Sequence, residues 1–133
     1  MTPLDATGPS SAASAIFIIY DIFGYSPQIL QGADLLAHAD DEHHQYQVYM
    51  PDFFQGKPAD QSWYPPDTKE KGEKLGEFFK GPASPPDTAK KVPELVAAIK
   101  EHSPNIEKFG VLGHCWGGKV RISLFLAHGC DRT

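Results

Sequence analysis

Gly113-His114-Cys115-Trp116-Gly117 is the stretch of this chain with residues and spacing suited to chemistry. A short apolar run, residues 109–112, precedes it, and an apolar stretch able to form a helix, residues 120–127, follows. That context is a strand, a sharp turn and a helix, in which G-x-Nu-x-G presents a nucleophile, here a cysteine. A side chain at either flanking position would meet the neighbouring backbone, so Gly113 and Gly117 permit the turn. A third glycine, Gly118, is expected to let the new helix lie close to the sheet. The Cys115 sulfur would then stand above the sheet at a helix N-terminus, where free N–H groups and the helix dipole favour a thiolate. The same residues also suit a plain βα turn with a small buried cysteine.

Other segments must position that turn. Residues 15–20 form a continuous apolar, β-branched run, as in a strand of a parallel sheet buried on both faces. Ser26-Pro27 predicts a helix start, with Ile29, Leu30, Ala33, Leu35, Leu36 and Ala37 on its apolar face. Residues 46–50 read as the next strand, and residues 52–66 as a long connection without period. A helix is expected over 67–80, capped by Asp67 or Thr68. Another is expected to begin at Asp87 or Thr88, with Pro93 in its first full turn or kinking it, and to stop at Ser103-Pro104. Residues 109–112 are the third strand. The alternation predicts an α/β fold with a parallel sheet flanked by helices. Ligands in such sheets sit beyond the C-terminal strand ends, which brings 21–24, 51–54 and 114–116 to one edge. Residues 1–14, rich in Pro, Ser, Ala and Gly, read as a disordered lead-in to a single domain over 15–133.

Composition narrows the function. The chain has 133 residues and a formal net charge of −5, and no basic stripe, so nucleic acid and anionic membrane are poor partners. Two cysteines make no disulfide framework and fit a reducing compartment, so a cytoplasmic location is expected. The cluster His38, Asp40, Asp41, Glu42, His43 and His44 reads as a solvated helix end, and no metal is expected. Phe53, Phe54, Trp63 and Tyr64 suit either the wall of a pocket or core and cover, and core and cover is the expectation. Lys119 and Arg121 read as a solvated helix face, and Cys130 as an incidental thiol.

Four segments together resemble the dienelactone hydrolase family of the α/β-hydrolase fold, in its fungal form: IFIIYDIFGYSPQILQGADLLA (residues 16–37), YQVYMPDFFQGKPAD (46–60), WYPPDT (63–68) and GVLGHCWGGK (110–119). The resemblance implies Cys115 as nucleophile and the backbone N–H groups of Ile22 and Trp116 as the oxyanion hole. It also implies Asp21 as the acid beside the resting thiol, where a carboxylate disfavours the thiolate until substrate arrives. Without the resemblance, Asp21 is a turn acid after a strand. The implied reaction opens lactones and related small esters through an acyl-cysteine, with no cofactor.

The family places an aspartate and then a histidine after the nucleophile. Here His128 and Asp131 stand in the reverse order, and His128 would lie about 18–20 Å along the helix leaving the turn. The chain therefore reads as a partial α/β-hydrolase core shortened at both ends, weakly active or inactive because the triad Asp and His are missing. Two alternatives stand beside this. One is a non-catalytic remnant that associates with itself or another protein through an exposed sheet edge. The other is a redox sensor using Cys115 and Cys130.

Overall fold

The computed structural model describes residues 4–39 and 45–128. Its four strands are β1 (Leu4–Thr7), β2 (Ser14–Ile19), β3 (Tyr46–Pro51) and β4 (Lys108–Gly113). They form one sheet in the order β1-β3-β2-β4. β2 pairs in parallel with β3 and β4, and β1 closes the far side antiparallel to β3. The architecture is the expected α/β sheet, with helices on both faces. Phe17, Ile18 and Ile19 of β2 are all buried, as a continuous apolar run in a central strand should be.

Helix α1 (Pro27–His38) begins where Ser26 Oγ accepts the Ile29 N–H, and it packs on β3. Thr68 caps α2 (Lys69–Lys80) by accepting the Lys71 N–H. Helix α3 (Pro85–His102) starts earlier than expected: the prolines Pro85 and Pro86 form its first turn, where missing N–H groups lose nothing. Pro93 therefore falls in its middle, on the exposed side. Helix α4 (Trp116–His128) leaves β4 through the Cys115 turn and packs against α3, β4 and β2.

The disordered lead-in is not what the structure shows for residues 4–14. Leu4 pairs with Pro51 and Thr7 with Val48. Asn105 Nδ2 donates to the carbonyls of Ser10 (3.0 Å) and Ala12 (2.8 Å), and Ala12 is buried. Composition alone could not reveal this, because the strand is held by the ladder β3 offers rather than by its own hydrophobic pattern. Of the acidic and histidine cluster, residues 40–44 lie outside the described residues, as do Cys130 and Asp131.

Candidate active site

The turn after β4 is built from main-chain contacts. The His114 N–H donates to the Ile19 carbonyl at 3.0 Å, carrying the β2–β4 ladder one residue past the strand. Cys115 then takes φ +52°, the left-handed region. Its carbonyl accepts from the N–H groups of Gly118 (3.0 Å) and Lys119 (3.4 Å), which begins α4. A non-glycine residue in that region costs about 1–2 kcal/mol, and it persists where the surroundings over-determine it. The surroundings here are close: a Cβ on Gly113 would lie 2.4 Å from the Gly117 carbonyl oxygen, and one on Gly117 would lie 2.0 Å from that of Ile19. At Gly118 a Cβ would meet only the Gly113 oxygen at 3.8 Å, an ordinary contact. The close approach expected of Gly118 thus belongs to Gly117. Cys115 itself is exposed.

Beneath the turn lies an aromatic cluster. Trp116 is 1% exposed, and its Nε1–H donates to the Ala83 carbonyl at 2.8 Å. Its ring lies 4.7 Å from that of Phe54 and stacks at 6.4 Å on Tyr20. The Tyr20 hydroxyl donates to Asp52 Oδ1 and accepts the Phe54 N–H, both at 3.2 Å. Burial holds that hydroxyl well above the ordinary tyrosine range. Burial also pushes Tyr25 up to about 12, and its hydroxyl donates to the Met50 carbonyl. Phe53 and Phe54 are core, and Trp63 packs edge-on against Phe78. Tyr64 departs from the expectation and stands exposed.

Asp21 and Ile22 follow β2. Ile19 and Gly113 are partners in the parallel register, so Asp21 and Cys115, each two residues further, leave neighbouring strand ends about 4.8 Å apart. The half-buried Asp21 carboxylate accepts the Phe23 N–H at 2.8 Å, the bond of an acid that closes its own turn. The Ile22 carbonyl accepts from Ala59 at 2.9 Å, which ties this loop to the one after β3. Neither the Ile22 nor the Trp116 backbone N–H has an acceptor among the described residues. The structure therefore brings Asp21, Ile22, Cys115 and Trp116 to one sheet edge.

Of the described histidines, only His114 stands at that edge. His38, His102 and His128 each end a helix that runs back from the strand tips, which leaves their backbones at the opposite edge of the sheet. His114 is exposed and lines a shallow apolar hollow of about 440 Å³ with Ile18, Ile29, Leu36 and Leu112. Lys119 and Arg121 are exposed, with Arg121 over the Phe125 ring at 5.3 Å. Among the described residues no group of His, Cys, Asp or Glu is arranged to hold a metal, and no helix is long and apolar enough to cross a membrane. Sequence reasoning missed the Tyr20–Asp52–Phe54 link. Its signal was a tyrosine ending an apolar run, because a buried hydroxyl needs a partner.

Comparison with known proteins identifies the family of the chain. The dienelactone hydrolase family matches residues 4–131. An uncharacterized AIM2 family protein of Schizosaccharomyces pombe is 38% identical over 87% of this chain and 45% of its own length. A second from the same yeast is 33% identical over 93% of this chain and 50% of its own. A carboxymethylenebutenolidase homolog of Xenopus tropicalis is 30% identical over 90% of this chain and 44% of its own. The chain thus spans about half the length of the curated relatives it matches. No solved structure matches at a comparable level of significance.

Proposed function

The chain belongs to the dienelactone hydrolase family, and from that premise we propose that Cys115 is the nucleophile of a hydrolase acting on small lactones or esters. The observation that carries this reading is Cys115 itself, exposed and in left-handed geometry between two glycines that tolerate no Cβ. The sulfur, as thiolate, attacks the ester carbonyl and forms a C–S bond. The negative charge moves to the carbonyl oxygen, where the N–H groups of Ile22 and Trp116 receive it. One such donor is worth about 3–4 kcal/mol of barrier in a preorganised site. Collapse breaks the C–O bond, and the leaving oxygen takes from solvent a proton equivalent to the one the thiol released on forming the thiolate. Water then cleaves the thioester, releasing the acid and restoring the thiol.

Asp21 helps hold the site at rest, while its bond to Phe23 shapes the loop that carries Ile22. The second half of the cycle needs a base to activate water. His114 is the one described histidine near the strand tips, and it lines the hollow beside α1. The reading is therefore fast acylation and slow deacylation for this chain. With an activated aryl ester, a burst of about one equivalent of leaving group is expected, then a slow phase, both lost in Cys115→Ala. A burst that survives Cys115→Ala, or no burst from folded protein, overturns the proposal.

A further inference from the structure

The long segment after β3 takes no part in the chemistry of Cys115, yet it meets the stretch after β2 at three points. The Phe54 N–H donates to the Tyr20 hydroxyl at 3.2 Å, and the Ala59 N–H donates to the Ile22 carbonyl at 2.9 Å. Pro58 faces Gly24, where a Cβ would come within 3.2 Å of the proline Cβ. Phe54 and Ala59 are both buried. Gly24 itself takes φ +68°, the left-handed region that favours glycine.

These contacts decide which way one peptide unit faces. Asp21 to Gly24 form a β-turn, in which the Gly24 N–H donates to the Asp21 carbonyl at 3.3 Å. The Asp21 carboxylate closes the same turn by accepting the Phe23 N–H. The Gly24 carbonyl accepts the Ser26 N–H at 2.9 Å, so Gly24 is fixed on both sides. A trans peptide points its N–H away from its own carbonyl. With the Asp21 carbonyl turned into the bend, the Ile22 N–H is turned out of it. The Trp116 N–H is aimed by other neighbours, because the Cys115 carbonyl accepts from Gly118 and Lys119 within α4. The two proposed oxyanion donors therefore have separate supports. One is supplied by the helix that follows the nucleophile, and the other by a loop distant in sequence.

We propose that Gly24 is a positioning residue for the Ile22 arm of the oxyanion hole, with Pro58 and Ala59 as the brace behind it. The proposal rests on the reading of Cys115 as an acylated nucleophile. A side chain at position 24 is opposed twice, by the left-handed φ and by Pro58. Relief comes from opening the turn or from parting it from Pro58. Either one rotates the peptide between Asp21 and Ile22, and a hydrogen bond to a developing oxyanion weakens steeply with misalignment.

The test compares two reactions of the same sulfur in the full chain. An activated aryl ester passes through an oxyanion. Iodoacetamide does not: the thiolate forms a C–S bond as the C–I bond breaks and iodide leaves. Gly24→Ala should slow the burst of acylation by about tenfold or more, through its maximal rate rather than its half-saturating ester concentration. Alkylation should stay within about twofold, because that reaction makes no use of the arm. Ile22→Pro deletes the N–H at a turn position that proline suits, and it should slow acylation by about a hundredfold. Adding Gly24→Ala to Ile22→Pro should then cost nothing further, since both act through one donor. Gly24→Asn enters the left-handed region more readily. It should lose less than the alanine variant, and it carries the same comparison if that variant does not fold. Equal slowing of acylation and alkylation, or additive losses in the double variant, overturns the positioning role. Unchanged acylation in folded Gly24→Ala overturns it as well, while leaving the nucleophile in place. Absence of acylation at Cys115 in the unsubstituted chain removes the nucleophile reading and this proposal together.

Discussion

On the β3 side of β2, Tyr20, Phe54 and Trp116 interlock, Asp52 and Ala83 accept their polar hydrogens, and β1 lies outside β3. On the β4 side, nothing among the described residues lies beyond the strand, and leucines of α1 and α4 are open to solvent. Cys115 stands at the seam between these flanks. Its bend is held by the Ile19 carbonyl at the β2 strand end, by the Gly118 and Lys119 N–H groups in the first turn of α4, and by the buried Trp116 ring below. In the proposed reading, the N–H groups of Ile22 and Trp116 that receive negative charge sit with Cys115 at this seam.

The sharpest way to break this contrast is at the bend. Gly117→Ala forces a methyl onto the Ile19 carbonyl and should cost about 4 kcal/mol or more in urea denaturation. Gly118→Ala should cost nothing, and in a helix it gains up to about 1 kcal/mol. Equal losses at the two glycines would mean that the bend is not braced as described. Next in size is packing. Phe54→Ala on the closed flank should lose about 3–5 kcal/mol, and Leu126→Ala on the open flank within about 0.5 kcal/mol. Comparable losses would show the open flank to be structural in this chain alone.

A smaller effect sharpens the closed flank. Tyr20→Phe leaves the Phe54 N–H without its acceptor and should cost about 1–3 kcal/mol. The buried hydroxyls also set an alkaline limit. The native state retains tyrosine protons that the unfolded chain releases at about pH 10. Their contribution is complete below that value and is lost as pH rises, through about 12 for Tyr25. Double replacement, Tyr20→Phe with Tyr25→Phe, should flatten the fall of stability across that window. An unchanged slope would place the limit elsewhere.

These flanks were not equally legible in the sequence. The apolar run at 15–20 and the G-x-C-x-G turn are local patterns, and both lie where their periods and glycines require. Gly113 and Gly117 follow from the same steric rule, whereas Gly118 shares their residue type without sharing their contacts. The strand at Leu4–Thr7 has no hydrophobic signature, because it draws its stability from an edge supplied by β3. The start of α3 was hidden because Pro-Pro reads as a breaker until its place in a first turn is known. The Tyr20–Asp52–Phe54 link joins positions more than thirty residues apart. Asp21 remained open between a turn acid and a partner of the thiol, and its bond to Phe23 shows how one carboxylate can serve the turn.

The most direct measurement of the central claim is peptide mass mapping after brief exposure of the native chain to an activated acyl ester. The account predicts a single acyl mass on the peptide containing Cys115, removed by hydroxylamine, and absent when the chain is unfolded in urea at the same pH. An acyl group spread over lysines, or equal labelling of Cys115 in folded and unfolded chains, would contradict it.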